Sequence, residues 1–411
     1  MDALESNGRE GRLAAIIVSD YGDVRGGSSR VAILSALALA ERGVEVIFFC
    51  ATPACDELRH DRIRIECVGM TDVWQRSPLA AAAQGIYNVT AARAFESVLA
   101  RADPRRTIVH FHQWTKALSP SVLRVATKAE FRALVTVHDY LCVCPNGIYF
   151  HAGARAPCTA TPLSMTCVVQ ACEKRGYAHK AVRLARQFNI PNIMRRVEDR
   201  WGFVHISPMA AEVCRPLLPA NARHFVVKDP IVASAEQRVS VHGNPAFLYV
   251  GRFEKEKGCD DLAAAGLGFD VIFMGQGPEE GKIRTINPDA TVLPWGTDAE
   301  VDKAMARCRA LVLPSLWYET FGMVVPEALA RGIPVIVSDR VGAKALVEDG
   351  INGLIYPAGN RAHLRQCLSH LSFDDRAAAM GSAAYARYWA APLSVEAHAE
   401  ALVHAYRRML A

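Results

Sequence analysis

The chain has 411 residues and a net charge of +5; 51% of its residues are hydrophobic and 22% are charged. That length exceeds one ordinary core and implies two domains sharing an interface. No apolar run reaches the roughly 18 residues that cross a bilayer. The polar Met1–Arg12 opening and the short apolar run Leu13–Val18 argue against a secretion signal, so the expected setting is the cytoplasm, where thiols stay reduced.

In chain order, short apolar runs alternate with stretches of helical period. The first half offers Ala14–Val18, Val44–Phe49, Ile108–His110, Ala133–Val137 and Phe203–Ile206, with an Ala/Leu-rich helix over Ser29–Arg42 between the first two. The second half offers Ala246–Val250, Val271–Met274, Ala290–Leu293, Ala310–Leu313 and Pro334–Val337, and closes on a helical pattern over Val395–Leu410. Runs of Val, Ile and Leu bounded by Gly and Pro read as strands covered on both faces. Strand–helix alternation builds parallel sheets. The polar, Pro-containing joint Lys228–Asn244 separates two such series. The fold class is therefore α/β, with two doubly wound parallel-sheet domains facing across a cleft. Ligands of such sheets lie beyond the carboxyl ends of strands, so the residues there are the candidates.

The stretch from Lys174 to Arg200 is basic, with Lys174, Arg175, Lys180, Arg183, Arg186, Arg195, Arg196 and Arg200. It reads as a solvated helix face or as a face that lies on an anionic membrane. No nucleic-acid recognition motif accompanies the charge, so no nucleic-acid partner is expected.

Four strand ends carry chemistry. After Ala246–Val250 comes Gly251-Arg252-Phe253-Glu254-Lys255-Glu256-Lys257-Gly258. Its Arg offers a planar fork and its Lys a compact charge to phosphate oxygens, although a charged surface loop would look the same. After Ala310–Leu313 come Glu319 and Glu327, eight positions apart, around the turn Thr320–Val324 that leads into a helix near Val325–Ala330. Free amides at that turn suit phosphate, and Gly322 permits close backbone approach. Carboxylates suit hydroxyls; an ordinary acidic helix start is the alternative. After Ala133–Val137 comes His138-Asp139-Tyr140, a cleft-facing His or a structural one. After Ala14–Val18 comes Gly26-Gly27, a pair that opens a helix. Neither this pair nor Gly275-Gln276-Gly277 has the spaced third glycine of a nicotinamide site, which argues against an oxidoreductase.

In this order the pieces resemble glycosyltransferase family 4, over about Ala14 to Ala358. The Glu319–Glu327 pair with Phe321-Gly322 inside it, the upstream Gly-Arg…Lys-Gly loop, and the Val341-Gly342-Ala343 and Asp349-Gly350-Ile351-Asn352-Gly353 turns carry the likeness. It implies the GT-B fold, two facing Rossmann-like domains with an interdomain cleft: an acceptor-side domain over 1–230, a nucleotide-sugar domain over 231–390, and a C-terminal helix over 391–411 packing back on the first domain. It further implies a retaining hexosyltransferase that draws on a UDP or GDP sugar and delivers to a glycan, lipid-linked or small-molecule acceptor in polysaccharide biosynthesis, with peripheral membrane contact as one setting. Arg252 and Lys257 would neutralise the diphosphate. Glu319 would bind hydroxyls of the sugar and Glu327 those of the ribose. Amides of Phe321, Gly322, Met323 and Val324 would contact phosphate and sugar. Gly26 and Gly27 would approach the diphosphate, and His138 would stand by the anomeric carbon. The chain has no Asp-x-Asp metal clamp, so no cofactor is expected for catalysis. Two places depart from the family: Ala345 where a Glu is frequent, and Lys228-Asp229-Pro230 where Asn-Pro is usual. The competing readings are a non-transferase GT-B enzyme such as a nucleotide-sugar epimerase, and a non-catalytic sugar-nucleotide binder.

Of 12 cysteines, Cys144, Cys158, Cys167 and Cys172 fall in a Pro/Gly-rich insert over about 142–172, which looks like a subset of the family. Clustered cysteines in a reducing compartment suggest a structural zinc; buried free thiols are the other reading.

Overall fold

A computed structural model describes residues 12–71, 77–194 and 199–411. The strands are β1 (Ala14–Ser19), β2 (Glu45–Cys50), β3 (Ile63–Cys67), β4 (Thr107–Phe111), β5 (Arg132–Val137), β6 (Phe150–His151), β7 (Ala156–Pro157), β8 (Trp201–His205), β9 (Arg223–Val226), β10 (Ala246–Val250), β11 (Val271–Met274), β12 (Thr291–Leu293), β13 (Cys308–Leu313), β14 (Val335–Ser338) and β15 (Gly353–Tyr356). A seven-stranded sheet runs β3-β2-β1-β4-β5-β8-β9 and a six-stranded sheet runs β12-β11-β10-β13-β14-β15. Every pairing within these two sheets is parallel. This is the GT-B arrangement of two Rossmann-like domains. A small hairpin, β6-β7, stands apart in the cysteine-rich insert.

The central strands β1, β4 and β13 are buried at every residue, which is why apolar runs identify them. The edge strand β3 is half exposed and β9 is nowhere fully buried, so neither shows such a run. The chain order reverses between β1 and β4 in one sheet and between β10 and β13 in the other. Crevices open beyond the carboxyl ends of strands at such reversals. Gly26-Gly27, the Gly251–Gly258 loop and the Pro314–Glu319 loop all follow these strands.

The two halves interlock. Leu316 and Trp317, from the loop after β13, are buried in the core of the first half, and Ile206, after β8, is buried in the core of the second. The helix Val395–Leu410 begins on a Ser394 hydroxyl that accepts from the Ala397 amide. Its face Leu402, Ala405, Tyr406 and Met409, at helical spacing, packs with Ile17, Ala36 and Leu134 of the first half. Among the described residues no helix is long and apolar enough to cross a membrane.

Candidate active site

Two loops of the second sheet are stitched together by backbone. The Glu256 carbonyl accepts the amides of Leu316 at 2.8 Å and Trp317 at 3.3 Å. Gly258 has φ +69, and a Cβ there would lie 2.1 Å from the Pro314 carbonyl oxygen. Only glycine allows that approach, which brings the cationic loop after β10 against the acidic loop after β13.

The result is a buried pair. Lys257 Nζ donates to Glu319 Oε2 at 2.5 Å, and the same oxygen accepts from Ser315 Oγ and Trp317 Nε1, each at 2.9 Å. Burial pushes the Glu319 carboxyl up, but the Lys257 charge and these three donors outweigh it and hold the group below its ordinary value. Oε1 accepts no hydrogen bond among the described residues, so one carboxylate oxygen is free for a ligand hydroxyl. The resemblance gave Lys257 the diphosphate and Glu319 the sugar hydroxyls, with no contact between the two. The structure corrects this, because each is the other's main partner. Ser315 and Trp317 were missed, although both lie in the same loop.

Arg252 is exposed, and its guanidinium has no partner among the described residues; only its carbonyl is engaged, by Tyr249 Oη at 2.8 Å. Glu327 lies on the helix Val324–Ala330, partly exposed, and its carboxylate likewise has no partner. Burial pushes it up to about 7 against the opposing charges of Arg30 and Arg331. Among the described residues the amides of Phe321, Gly322, Met323 and Val324 find no backbone acceptor. Gly322 has φ +92, and a Cβ there would press Leu313 at 2.8 Å.

The first half meets this site at two points. A Cβ on Gly27 would lie 3.0 Å from Met323 Sδ, so the Gly26-Gly27 loop faces the turn after Glu319. The His138 carbonyl accepts from Thr320 Oγ1 at 2.8 Å. The His138 ring lies 3.1 Å from His112 Nδ1 through Nε2 and 4.0 Å from Asp229 Oδ2 through Nδ1. Burial, then the nearby His398, lowers His138 to about 3, and burial raises Asp229 to about 8. Near neutral pH both are uncharged, so their approach is not an ion pair. Asp229 Oδ1 and His112 Nε2 are buried without partners among the described residues. His112 follows β4 directly, a strand-end position that could have drawn attention; Asp229 was noticed only as a departure from Asn.

Cys144, Cys158, Cys167 and Cys172 line one cavity with Lys180 and Arg183. They do not fit a zinc ion as arranged: among the described residues no three His, Cys, Asp or Glu are placed to hold a metal. Burial raises Cys144 to about 11 and also raises Cys172. Lys180 Nζ donates to the Cys167 carbonyl at 2.5 Å and also to that of Gln170.

Part of the basic stretch turns inward. Lys180 and Arg186 are buried, Arg186 donates to the Pro145 carbonyl at 3.0 Å, and Arg183 donates to the Asn146 carbonyl at 2.9 Å. These cations hold the insert instead of forming a solvated face. Arg195 and Arg196 lie outside the described residues.

Two nucleotide-fold sheets facing each other, with cationic and acidic strand-end loops converging between them, define a GT-B protein. Residues 233–387 match the family model of glycosyl transferases group 1, and residues 26–185 match that of the glycosyl transferase 4-like domain. Together they cover most of the chain, and the chain belongs to glycosyltransferase family 4. A GDP-mannose-dependent alpha-mannosyltransferase of Mycobacterium tuberculosis (strain CDC 1551 / Oshkosh) is 33% identical over 141 residues, 33% of this chain and 36% of that protein. The matches span about a third to a half of the curated relatives' length. Sucrose-phosphate synthase from Thermosynechococcus elongatus superposes with a TM-score of 0.67 at 18% identity, covering 97% of this chain and 99% of that one. Anabaena HepE in complex with UDP and glucose gives 0.65 at 14%, covering 97% and 100%. At these identities the likeness is one of fold.

Proposed function

We propose that the protein is a retaining glycosyltransferase that moves a sugar from a UDP or GDP sugar to a glycan, lipid-linked or small-molecule acceptor, without a divalent metal. The observation that carries this reading is the convergence of Lys257 and Glu319 from neighbouring strand ends, with Lys257 in the same loop as an Arg252 guanidinium that no group among the described residues neutralises. Arg252 and Lys257 match the charge that grows on the diphosphate as the glycosidic bond breaks. The free Oε1 of Glu319 suits a sugar hydroxyl, and the unpaired Glu327 carboxylate suits the ribose. The named activity of the mannosyltransferase relative and the UDP bound to HepE agree with this donor class.

In this reading the acceptor oxygen bonds to the anomeric carbon on the face the diphosphate leaves. The carbon–oxygen bond to phosphate breaks, and a phosphate oxygen takes the acceptor proton. His138 is neutral, so it serves by contact and hydrogen bonding and not as a cation. The test is to incubate the purified protein with a panel of UDP and GDP sugars, using water and simple glycosides as acceptors, and to read the anomeric product by NMR before it mutarotates. An α product from an α-linked donor is expected; a β product overturns retention, and no turnover of any donor overturns the activity.

A further inference from the structure

The cysteine-rich insert also reaches the donor loop. Arg155, in the turn between β6 and β7, donates to Asp260 through Nη1 at 2.8 Å and Nη2 at 3.0 Å, and to Asp261 through Nη2 at 2.9 Å. Lys174, just past Cys172, donates to Glu254 at 2.5 Å and to both oxygens of Glu256 at 2.9 and 3.1 Å. The Glu256 and Asp260 side chains are each only 1% exposed, whereas Lys174 and Arg155 keep 37% and 34% of their side chains exposed, so the contacts are desolvated on the acidic side alone. Arg155 has φ +50, a left-handed backbone that a long side chain adopts at a cost. Such a conformation persists where surroundings hold it, and here it aims the guanidinium across the cleft.

The charges explain why the contact matters for donor binding. The segment Gly251–Asp261 holds Arg252, Lys255 and Lys257 against Glu254, Glu256, Asp260 and Asp261. Alone it is net negative, a poor neighbour for a diphosphate. The two cations from the insert reverse that sign and occupy the carboxylates of Glu254, Glu256, Asp260 and Asp261.

We propose that Arg155 and Lys174 are positioning residues for the donor. The insert clasps the acidic side of the donor loop, neutralises it, and leaves Arg252 and Lys257 to face the diphosphate. The proposal rests on the donor reading above. The clasp is stiff, because Lys180, Arg183 and Arg186 pin the insert's own carbonyls. It is also asymmetric. Asp260 has further cations in Lys282 at 2.6 Å and Arg361 at 3.5 Å, and Asp261 has Arg361 at 2.6 Å. Lys174 is the only ion-pair partner of Glu256 among the described residues.

The experiment titrates UDP and GDP calorimetrically into the full chain and its Lys174→Ala, Arg155→Ala and Lys174→Arg variants. Amide hydrogen exchange over 251–261 is followed without ligand. Lys174→Ala is expected to weaken nucleotide binding by roughly tenfold, within the usual range of coupling between sites, and to speed exchange in the segment. Arg155→Ala should do both to a smaller degree, and its folding is protected by Lys282 and Arg361. Lys174→Arg should restore binding, which lost packing alone would not predict. Normal wild-type binding with unchanged affinity and exchange in both alanine variants overturns the clasp alone. A wild type that binds neither nucleotide overturns the donor reading, and the clasp's role in donor binding falls with it.

Discussion

Lys257 and Glu319 lie 62 positions apart and meet because β10 and β13 are neighbours in one sheet. The first half is joined to the chain's end over longer spans: His110 bonds Tyr406 on the C-terminal helix, 296 positions away, and Ser35 bonds His398 on the same helix, 363 away. The donor side is thus assembled from loops that follow adjacent strands. The His138 side joins His112 and His138, which follow the adjacent strands β4 and β5, to Asp229 and Thr320 from far along the chain. The first kind of site follows from strand order; the second depends on packing that no local pattern announces.

The largest expected effect breaks the donor side. Glu319→Ala leaves Lys257 buried without its partner, and stability should fall by about 3–5 kcal/mol. A Lys257→Met/Glu319→Leu double variant should lose markedly less, because no charge is stranded. Urea denaturation measures both, and a Glu319→Ala protein as stable as wild type would show that the pair does not hold the loops together.

Glu327 sharpens the comparison, since among the described residues its carboxylate has no hydrogen-bond or ion-pair partner. Its folded value of about 7 exceeds the ordinary 4.5. The native state therefore binds the proton more tightly, and this group's contribution to stability falls as pH rises from 4.5 to 7, then stays level. Glu327→Gln should be more stable than wild type by about 3 kcal/mol above pH 7 and nearly equal to it at pH 4.5 and below. It should also bind nucleotide more weakly. Paired pH-dependent melts decide; a constant difference across pH would remove the shift. The smallest expected effect is none: EDTA should leave transfer unchanged. A loss restored by Mg2+ or Mn2+ would contradict metal-independent chemistry, and a loss restored only by Zn2+ would point to the thiols.

Those experiments also separate what the sequence displays from what it hides. The central strands were legible because burial on both faces leaves continuous apolar runs. The turn glycines and the Glu319–Glu327 spacing were legible because close backbone approach and a helix start demand particular residue types. Strands β3, β9 and β15 were not: all three lie at sheet edges and are partly solvated, although β12, at the remaining edge, still ends in a short apolar run. The destination of the basic stretch was hidden as well. Lys174 finds Glu256 82 positions away, and a run of cations looks the same whether it faces water or cages an insert. Cysteine spacing, likewise, could not tell a shared cavity from a ligand set.

The most direct measurement is a thermal titration of wild type and Arg252→Ala with UDP and GDP. The Arg252 guanidinium has no partner among the described residues, so the two proteins should melt together without ligand. At a hundred times the dissociation constant one nucleotide should stabilise wild type by about 2.7 kcal/mol and the variant hardly at all. Equal stabilisation of both proteins would contradict a diphosphate held between the ends of β10 and β13.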